Sequence, residues 1–553
     1  MDLDVATATA TELTRAIRGR RISSRELLEY LLARAERLNP ALNAIVAWDV
    51  DRARAAAAAA DEATARGELA GPLHGLPMTV KDVFETEGLV TTSGAPELAG
   101  HVPQQDAAGV ARLKAAGAII FGKTNTPLYA GDVQTYNDVY GRTNNPWDLS
   151  RTAGGSSGGA AAALAAGLTP LEFGSDIGGS IRNPSHYNGV YGLKPSWGIV
   201  PTRGHIPGPP GALVPVDVGV AGPMARGVAD LRTALGIVAG PLPQEAAGWR
   251  LELDAGSGLH DARGLRVATV FGEGADVVPI ASDVRANLDS FAATVAEAGA
   301  LVDEVALPVP LADGFASWWS LVGPIMGLGL PADEYAHLAS LENVPVDDQG
   351  LARATVMAGR FRSWFLATEL RERQRAAWAQ FFGQYDVLLA PVMPTAAFPH
   401  DTEGSLESRV LDIDGTPVGA LASIAWCCAI GSALLPVVTL PTGLSRSGLP
   451  VGVQVIGPFL SDLRLLRIAE ILDAAAGGFI PPPVSGRALV LRVPRIQESC
   501  SSVLKVRNPR RWSLRSAFGL SADDVWRFGG CLAPVPIPGG WRGSAHSRPG
   551  PCQ

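Results

Sequence analysis

A stripe of apolar side chains with helical spacing runs through the start of the chain, at Leu27, Leu28, Leu31, Leu32 and Leu38. It follows Ser23 and Glu26, whose spacing is that of a capping box, in which the two side chains bind each other's backbone N–H groups. The pattern predicts a helix that ends at Asn39-Pro40, because proline cannot donate a helical hydrogen bond. An alanine-rich stretch at residues 52–66 predicts a second helix, since alanine has the highest helix propensity.

The pattern then changes to short apolar runs that alternate with helical segments. Residues 76–80 and 118–121 predict buried strands, with a helix over residues 107–116 between them. Further strands are predicted at residues 265–270, 385–390 and 451–456, and further helices at residues 283–299, at 360–382 and from the last strand to 476. Strands that alternate with helices indicate an α/β fold whose central sheet is covered on both faces by helices.

One segment has the apolar character of a membrane span. Residues 415–445 carry no charge, and residues 418–435 are almost wholly apolar or small. A membrane helix is one interpretation, and a buried helix that leads into a core strand is the other. Pro436, Pro441 and Gly443 interrupt the segment, and a β-rich pattern follows. The sequence favours the buried helix and predicts no contact with a membrane.

Charge divides the chain into two unequal parts. The 553 residues are 47% hydrophobic and 18% charged, which excludes disorder along the whole length, and the net charge of −8 gives no general attraction to nucleic acid. Residues 481–553, however, hold 11 Lys and Arg against 3 Asp and Glu, together with 10 Pro and 8 Gly. We predict one folded domain at residues 1–480, with the N-terminal helices (residues 1–66) packed on it. Residues 481–553 form a basic Pro/Gly-rich tail that is either disordered or not natural coding sequence, such as a frameshifted end.

The cysteines and histidines predict neither a disulfide framework nor a metal site. The chain has 5 Cys and 8 His, without a C-x-x-C pair or a Cys/His cluster at zinc spacing. Residues 1–14 contain acidic residues where a signal peptide requires a basic start and an apolar middle. We therefore expect a cytoplasmic protein without a metal or another cofactor.

Two glycine-rich segments are candidates for chemistry. Residues 155–159 match G-x-S-x-G, which would make Ser157 the nucleophile of an α/β-hydrolase. That motif needs a strand directly before the serine, and the preceding residues 145–153 are typical of a loop, which argues against it. Residues 177–180, Ile-Gly-Gly-Ser, place successive backbone N–H groups beside the hydroxyl of Ser180, an arrangement that can stabilise an oxyanion.

A serine nucleophile needs a base, and the residues offer two candidates. His186 is the nearest histidine and lies in a predicted turn, with no orienting acid apart from Asp176. Lys81 directly follows the apolar strand at residues 76–80. A lysine at the end of a buried strand loses its charge easily, because burial disfavours the ammonium form.

Several motifs in the same order resemble the amidase signature family. They are residues 75–82 (GLPMTVKD), 122–127 (GKTNTP), 154–159 (GGSSGG), 176–182 (DIGGSIR), 192–195 (GLKP) and 448–454 (GLPVGVQ). The resemblance extends from about residue 8 to residue 478 and leaves the tail without a counterpart. It implies the amidase-signature fold, in which the central sheet is mixed.

The resemblance also implies a Ser–cis-Ser–Lys triad. In it Lys81 is the base, Ser156 the bridging serine after a cis Gly155–Ser156 peptide, and Ser180 the nucleophile. The N–H groups of Ile177, Gly178, Gly179 and Ser180 receive the oxyanion. Asp176 and Arg182 brace the loop as an ion pair, Ser157 either orients the triad or caps the next helix, and Ala130 lines the acyl pocket.

The implied activity is hydrolysis of a small-molecule amide through an acyl-enzyme, extending to esters and carbamates. The alternative is the glutaminase subunit of an amidotransferase complex, or a non-catalytic member of the family. A substrate wall at Trp318, Trp319, Met326 and Met357 is one interpretation of these residues, and ordinary core is the other. A homodimer is left open.

The composition of the tail leads to a first testable prediction. A segment without a contiguous apolar face does not offset the entropy lost when it becomes ordered. Truncation after Gly478 is therefore expected to leave kcat, KM and Tm nearly unchanged, and limited proteolysis should remove the tail first. A truncated protein that loses activity, or several degrees in Tm, would show that the tail packs on the catalytic domain.

Overall fold

The structure is a computed structural model that describes residues 3–206, 210–272, 274, 276–341 and 355–483. The chain divides into two compact units, Met1–Pro494 and Arg495–Gln553, and all described residues belong to the first. The predicted tail lies outside the described residues from residue 484 onward. Phe479 packs against the core, so a truncation after Pro483 isolates the tail better than one after Gly478.

Three helices open the fold, and the sequence predicts the second and third of them. They are α1 (Ala10–Arg18), α2 (Ser24–Leu42) and α3 (Val50–Arg66), and the first two begin with capping boxes at Thr9/Glu12 and Ser23/Glu26. Helix α2 passes through Pro40 and ends at Asn43, slightly beyond the predicted end. Complete burial of Leu42 offsets the hydrogen bond that Pro40 cannot donate.

A small sheet follows, built from β1 (Ile45–Trp48), β2 (Pro77–Lys81) and β3 (Ile119–Thr124) in the order β1-β3-β2. Strands β2 and β3 are parallel, and α4 (Ala108–Ala115) lies between them in the chain, which confirms the predicted strand–helix–strand unit. Both strands are buried along their whole length. The register places Lys81, the last residue of β2, opposite Thr124.

A large mixed sheet forms the centre of the described domain. Its strands are β4 (Leu171–Asp176), β5 (Tyr191–Lys194), β6 (Val220–Ala225), β7 (Arg266–Thr269), β8 (Leu301–Glu304), β9 (Val387–Pro391), β12 (Val437–Leu444) and β13 (Pro450–Ile456). They lie in the order β4-β6-β5-β12-β13-β9-β7-β8. A hairpin of β10 (Val410–Ile413) and β11 (Thr416–Gly419) stands apart from this sheet.

Helices pack against this sheet, which confirms the α/β fold class. They are α5 (Gly158–Ala165), α6 (Arg182–Asn188), α7 (Val228–Val238), α8 (Ser282–Glu297) and α13 (Asp462–Ala476). Between α8 and α13 in the chain lie α9 (Leu311–Met326), α10 (Ala332–Ser340), α11 (Phe361–Phe381) and α12 (Ala425–Ser432), of which α11 and α12 pack against α9. The apolar segment at residues 418–435 forms the fully buried helix α12, which leads into β12. The helix is shorter than predicted, because β11 and a 3₁₀ turn take up its first residues. No helix in the described part of the chain is both long and apolar enough to cross a membrane.

A buried carboxylate of the domain binds the start of helix α1. Asp230 of α7 accepts hydrogen bonds from the backbone N–H groups of Ala10 and Thr11, both at 2.8 Å, and from the Thr11 hydroxyl at 2.6 Å. These N–H groups belong to the first turn of α1, where no intrahelical acceptor exists. Asp230 therefore acts as an N-terminal cap supplied from a distant element.

We expect Asp230→Ala to lower the free energy of unfolding by about 2 kcal/mol, because buried donors lose their acceptor. Thermal unfolding followed by circular dichroism measures the effect as a fall in Tm. Asp138→Ala, at an exposed loop position, is the matched control and should leave Tm unchanged. Equal Tm values for the two variants would contradict the capping role.

Candidate active site

The fold brings the glycine-rich motifs together at the carboxyl ends of β2 and β4. Lys81 ends β2, Ser156 lies just before α5, and Ser180 lies in the loop that joins β4 to α6. The backbone N–H of Ser157 donates to the carbonyl of Ser180 at 3.1 Å, so the two motifs are in direct contact. Residues far apart in the chain therefore meet at one place.

Lys81 is completely buried among hydroxyl groups. Its Nζ donates to Ser156 Oγ at 2.6 Å and to Ser175 Oγ at 3.1 Å. Burial lowers the pKa of Lys81 to about 7, although the negative charge of Asp176 opposes the shift. A large fraction of Lys81 is consequently neutral at neutral pH, when its nitrogen can accept a proton.

The chain before Ser156 is packed so tightly that it requires glycine. A Cβ on Gly155 would lie 2.6–2.7 Å from backbone atoms of Asp132 and Gln134. The peptide bond between Gly155 and Ser156 is cis. Ser156 is buried and faces Lys81, so its hydroxyl is shielded from bulk water.

The carboxylate of Asp176 organises the loop that carries Ser180. It accepts from the backbone N–H groups of Gly179, Ile181 and Arg182 at 2.9, 3.0 and 3.3 Å. Arg182 adds two side-chain hydrogen bonds, from Nε at 3.0 Å and from Nη2 at 2.7 Å. Burial alone would raise the pKa of Asp176, but the Arg182 guanidinium and these donors hold it well below its usual range.

This arrangement leaves fewer N–H groups for an oxyanion than the sequence predicts. We predicted that Gly179 donates to an oxyanion, whereas in the structure its N–H donates to Asp176. The backbone N–H groups of Ile177, Gly178 and Ser180 remain as candidates. These residues are half-buried, whereas Asp176, Gly179 and Arg182 are covered, so the loop reaches the surface of the site at those positions.

Arg182 also joins the loop to the large sheet. Its Nη1 donates to the carbonyl of Cys427 in α12 at 2.8 Å and to Gln454 Oε1 in β13 at 2.9 Å. Gln454 belongs to the motif at residues 448–454, to which the sequence assigned no role. The structure gives it one, as an acceptor for a buried guanidinium.

Ser157 directly follows Ser156, and the role of Ala130 in the acyl pocket stays a prediction. The Ser157 hydroxyl lies 3.4 Å from the carbonyl oxygen of Ser175, and it makes no capping hydrogen bond to α5 although Ser157 is the N-cap residue. Of the two predicted roles, capping is therefore not observed. Tyr129 and Ala130 both have left-handed backbone angles, with φ of 48° and 57°. The turn that they form leads directly to Asp132 and Gln134, whose backbone packs against Gly155.

His186 is not placed as a base. It lies within helix α6 rather than in the predicted turn, because the chain enters the helix directly after the nucleophile loop. Its Nδ1 accepts from the backbone N–H of Gly452 at 2.9 Å, and its Nε2 lies 3.0 Å from the carbonyl oxygen of Thr395. Burial lowers its pKa to about 4, so it remains neutral and structural.

An apolar face lies beside Gly178. A Cβ placed on Gly178 would lie 3.0 Å from the Trp318 ring, 3.4 Å from Cys428 Sγ and 3.6 Å from Ile424 Cδ1. Trp318 is one of the four residues for which the sequence leaves open a substrate wall or ordinary core. Of the others, Trp319 is half-buried next to it, Met326 is exposed at the end of α9, and Met357 contacts Gly327 through its backbone.

Sequence reasoning missed two polar groups next to Lys81. Ser175 contacts Lys81 Nζ directly, and only the packing of β4 against β2 reveals this. Glu172 is completely buried and accepts from the hydroxyl of Thr79, and burial raises its pKa to about 8. The sequence carries a signal for Glu172, because an acidic residue within a buried strand is unusual. Among the described residues no cluster of His, Cys, Asp and Glu is arranged to hold a metal ion.

Comparison with known proteins shows the family. Residues 26–466 match the family model described as Amidase, and the chain belongs to this amidase family. It is 33% identical to a glutamyl-tRNA(Gln) amidotransferase subunit from Acidothermus cellulolyticus, over 85% of this chain and 95% of that protein. It is 36% identical to the corresponding subunit of an Azoarcus species, over 86% of this chain and 99% of that protein.

Solved structures with the same fold include enzymes. One comes from a vestigial protein complex that reveals the evolutionary origins of an s-triazine catabolic enzyme, with 30% identity, a TM-score of 0.72, and coverage of 86% of this chain and all of that chain. Another is a bacterial aryl acylamidase of the amidase signature enzymes, with 27% identity, a TM-score of 0.71, and coverage of 85% of this chain and 96% of that chain. A third is 6-aminohexanoate cyclic dimer hydrolase with its substrate, with 25% identity, a TM-score of 0.69, and coverage of 88% and 100%.

Proposed function

We propose that this protein hydrolyses the C–N bond of small-molecule amides through an acyl-enzyme on Ser180. The observation that carries the proposal is the contact of 2.6 Å between Lys81 and Ser156, in a buried position where Lys81 loses its charge easily. A buried amine next to a hydroxyl is suited to proton transfer near neutral pH. The loop with Ser180 adjoins this pair through the contact of Ser157 with Ser180.

The proposed reaction begins with proton transfer. Neutral Lys81 accepts the proton of Ser156 while Ser156 accepts that of Ser180, and Ser180 Oγ forms a bond to the substrate carbonyl carbon. The carbonyl π electrons move to oxygen, where the N–H groups of Ile177, Gly178 and Ser180 receive the negative charge. One such donor contributes about 3–4 kcal/mol to the transition state.

Collapse of this tetrahedral intermediate breaks the C–N bond. Ser156 returns its proton to the leaving nitrogen and regains one from Lys81, and the amine departs. Water then attacks the acyl group on Ser180 while the same relay takes its proton. The acid is released, and Ser180 and Lys81 return to their starting states.

The neighbouring residues support this assignment by fixing positions. The ion pair of Asp176 and Arg182 fixes the loop through a hydrogen bond to the Gly179 N–H. The N–H of Ser157 binds the carbonyl of Ser180 and so connects the loop to the segment of Ser156. Trp318, Ile424 and Cys428 are buried against Gly178 and give the outer side of the loop an apolar surrounding. Esters and carbamates present the same carbonyl, so they belong to the proposed substrate range.

The relatives favour a second candidate, the glutaminase subunit of an amidotransferase complex. The two amidotransferase relatives are aligned over nearly their whole length. Glutamine, however, carries an ammonium and a carboxylate, which require opposite charges in the pocket. The side chains beside Gly178 are apolar, which supports the stand-alone hydrolase. A non-catalytic member of the family is the remaining alternative.

A substrate panel with the purified single chain distinguishes the candidates. We expect release of p-nitroaniline from simple anilides, with turnover of the matching esters and carbamates. Glutaminase activity that appears only after an amidotransferase partner is added would favour the second candidate. No turnover under either condition would favour the non-catalytic one.

Ser180→Ala is expected to lower kcat by about 10⁴-fold or more, because the attacking oxygen is lost. Circular dichroism and Tm should remain those of the unmodified protein. Ser150→Ala, at an exposed serine, is the matched control and should keep full activity. Substantial turnover by the folded Ser180 variant would rule out the nucleophile.

The lowered pKa of Lys81 predicts the pH dependence of kcat/KM. The base acts in its deprotonated form, so activity should rise as the pH increases through an apparent pKa near 7. Lys81→Arg should be as damaging as Lys81→Ala, since the guanidinium stays protonated. Lys114→Arg, at a partly exposed lysine paired with Asp106, serves as the control. An unchanged pH profile in an active Lys81→Arg enzyme would exclude Lys81 as the base.

A further inference from the structure

Trp318 of α9 contacts the nucleophile loop from outside the glycine-rich motifs. Its indole Nε1 donates to the carbonyl oxygen of Ile177 at 2.7 Å. The side chain is only 3% exposed, so water does not compete effectively for this bond. The indole ring stacks on the ring of Phe315, with 6.2 Å between the ring centroids, and this contact limits the movement of the indole.

The position of this hydrogen bond determines the direction of a neighbouring N–H group. The carbonyl of Ile177 and the N–H of Gly178 belong to one planar trans peptide, in which they point in opposite directions. Fixing the oxygen of Ile177 therefore fixes the direction in which the N–H of Gly178 points. Gly178 has no side chain that would otherwise limit rotation of this peptide.

The next peptide, between Gly178 and Gly179, is held by residues other than Trp318. The N–H of Gly179 donates to Asp176 at 2.9 Å, and Cys428 Sγ lies 3.9 Å from the carbonyl oxygen of Gly178. A Cβ on Gly179 would lie 2.9 Å from Cys427 Cβ, so α12 fills the space behind this peptide. Asp176 thus restrains the Gly178–Gly179 peptide through a hydrogen bond. The Ile177–Gly178 peptide depends on Trp318 for a comparable restraint.

We propose that Trp318 is a positioning residue for the oxyanion hole, which holds the N–H of Gly178 toward the developing negative charge. The inference rests on the proposed function, in which Ser180 forms a tetrahedral intermediate. Trp318 acts through the peptide and not as an acid or base. Its hydrogen bond should matter more in the transition state than for substrate binding, because the oxyanion carries its full charge only after attack.

Trp318→Phe tests the proposal by removing the N–H while keeping an aromatic ring. With a p-nitroanilide substrate, we expect kcat to fall about 10- to 100-fold and KM to stay within about twofold, since the donor is loosened and not removed. The inhibition constant of phenylboronic acid, which forms a tetrahedral anionic adduct with serine, should rise by a similar factor. Trp249→Phe, at a partly exposed tryptophan of another surface, is the matched control and should change none of these values.

The outcomes separate this inference from the proposed function. Unchanged kcat and boronate affinity in folded Trp318→Phe would overturn it, and so would a rise in KM alone, which is the result expected for a simple substrate wall. Turnover by Ser180→Ala would instead remove the proposed nucleophile. If Trp318→Phe does not fold, Phe315→Leu removes the ring that stacks on Trp318. Weaker boronate binding with unchanged KM in that variant supports the proposal, and unchanged boronate binding contradicts it.

Discussion

The buried ion pair of Asp176 and Arg182 is the interaction on which the arrangement of the site depends. Both side chains are completely covered, and charges buried in this way are tolerated only when they are paired and hydrogen-bonded. Asp176 meets this condition with three backbone N–H groups and the guanidinium. Arg182 meets it with Asp176, a carbonyl of α12 and Gln454 of β13. A short loop thus becomes fixed to the central sheet, and Ser180 lies within that fixed loop.

Lys81 lies near this pair but is buried without a direct carboxylate partner. It is as deeply buried as Arg182, but its hydrogen-bond partners are the neutral hydroxyls of Ser156 and Ser175. Without a direct carboxylate partner, desolvation dominates and the pKa of Lys81 falls, whereas pairing with Asp176 raises the pKa of Arg182 further above its usual range despite burial. One buried cation is therefore suited to hold structure, and the other is suited to exchange a proton.

The sequence predicted the elements that local patterns control. A capping pair located α2, alanine content located α3, and apolar runs located β2, β3 and β13. A glycine-rich motif located Ser180, and the end of an apolar strand located Lys81. It did not predict contacts that depend on distant packing. The direction of the Gly179 N–H follows from how the loop folds over Asp176, and the bond of Trp318 to Ile177 joins residues 141 positions apart. No periodicity or spacing within either segment specifies such a contact.

The loop that carries Ser180 is held differently on its inner and outer sides. The motif residues restrain one another through backbone hydrogen bonds. A side chain at Gly155 would collide with neighbouring backbone atoms. The outer side of the same loop contacts Trp318 of α9, Ile424 of the turn before α12, and Cys428 of α12. Those contacts are made by side chains, which can change without disturbing the hydrogen bonds of Asp176. The hydrogen bonds of Asp176 therefore fix the course of the loop on its inner side, while the packing of these three side chains, together with the bond of Trp318 to Ile177, fixes its outer side.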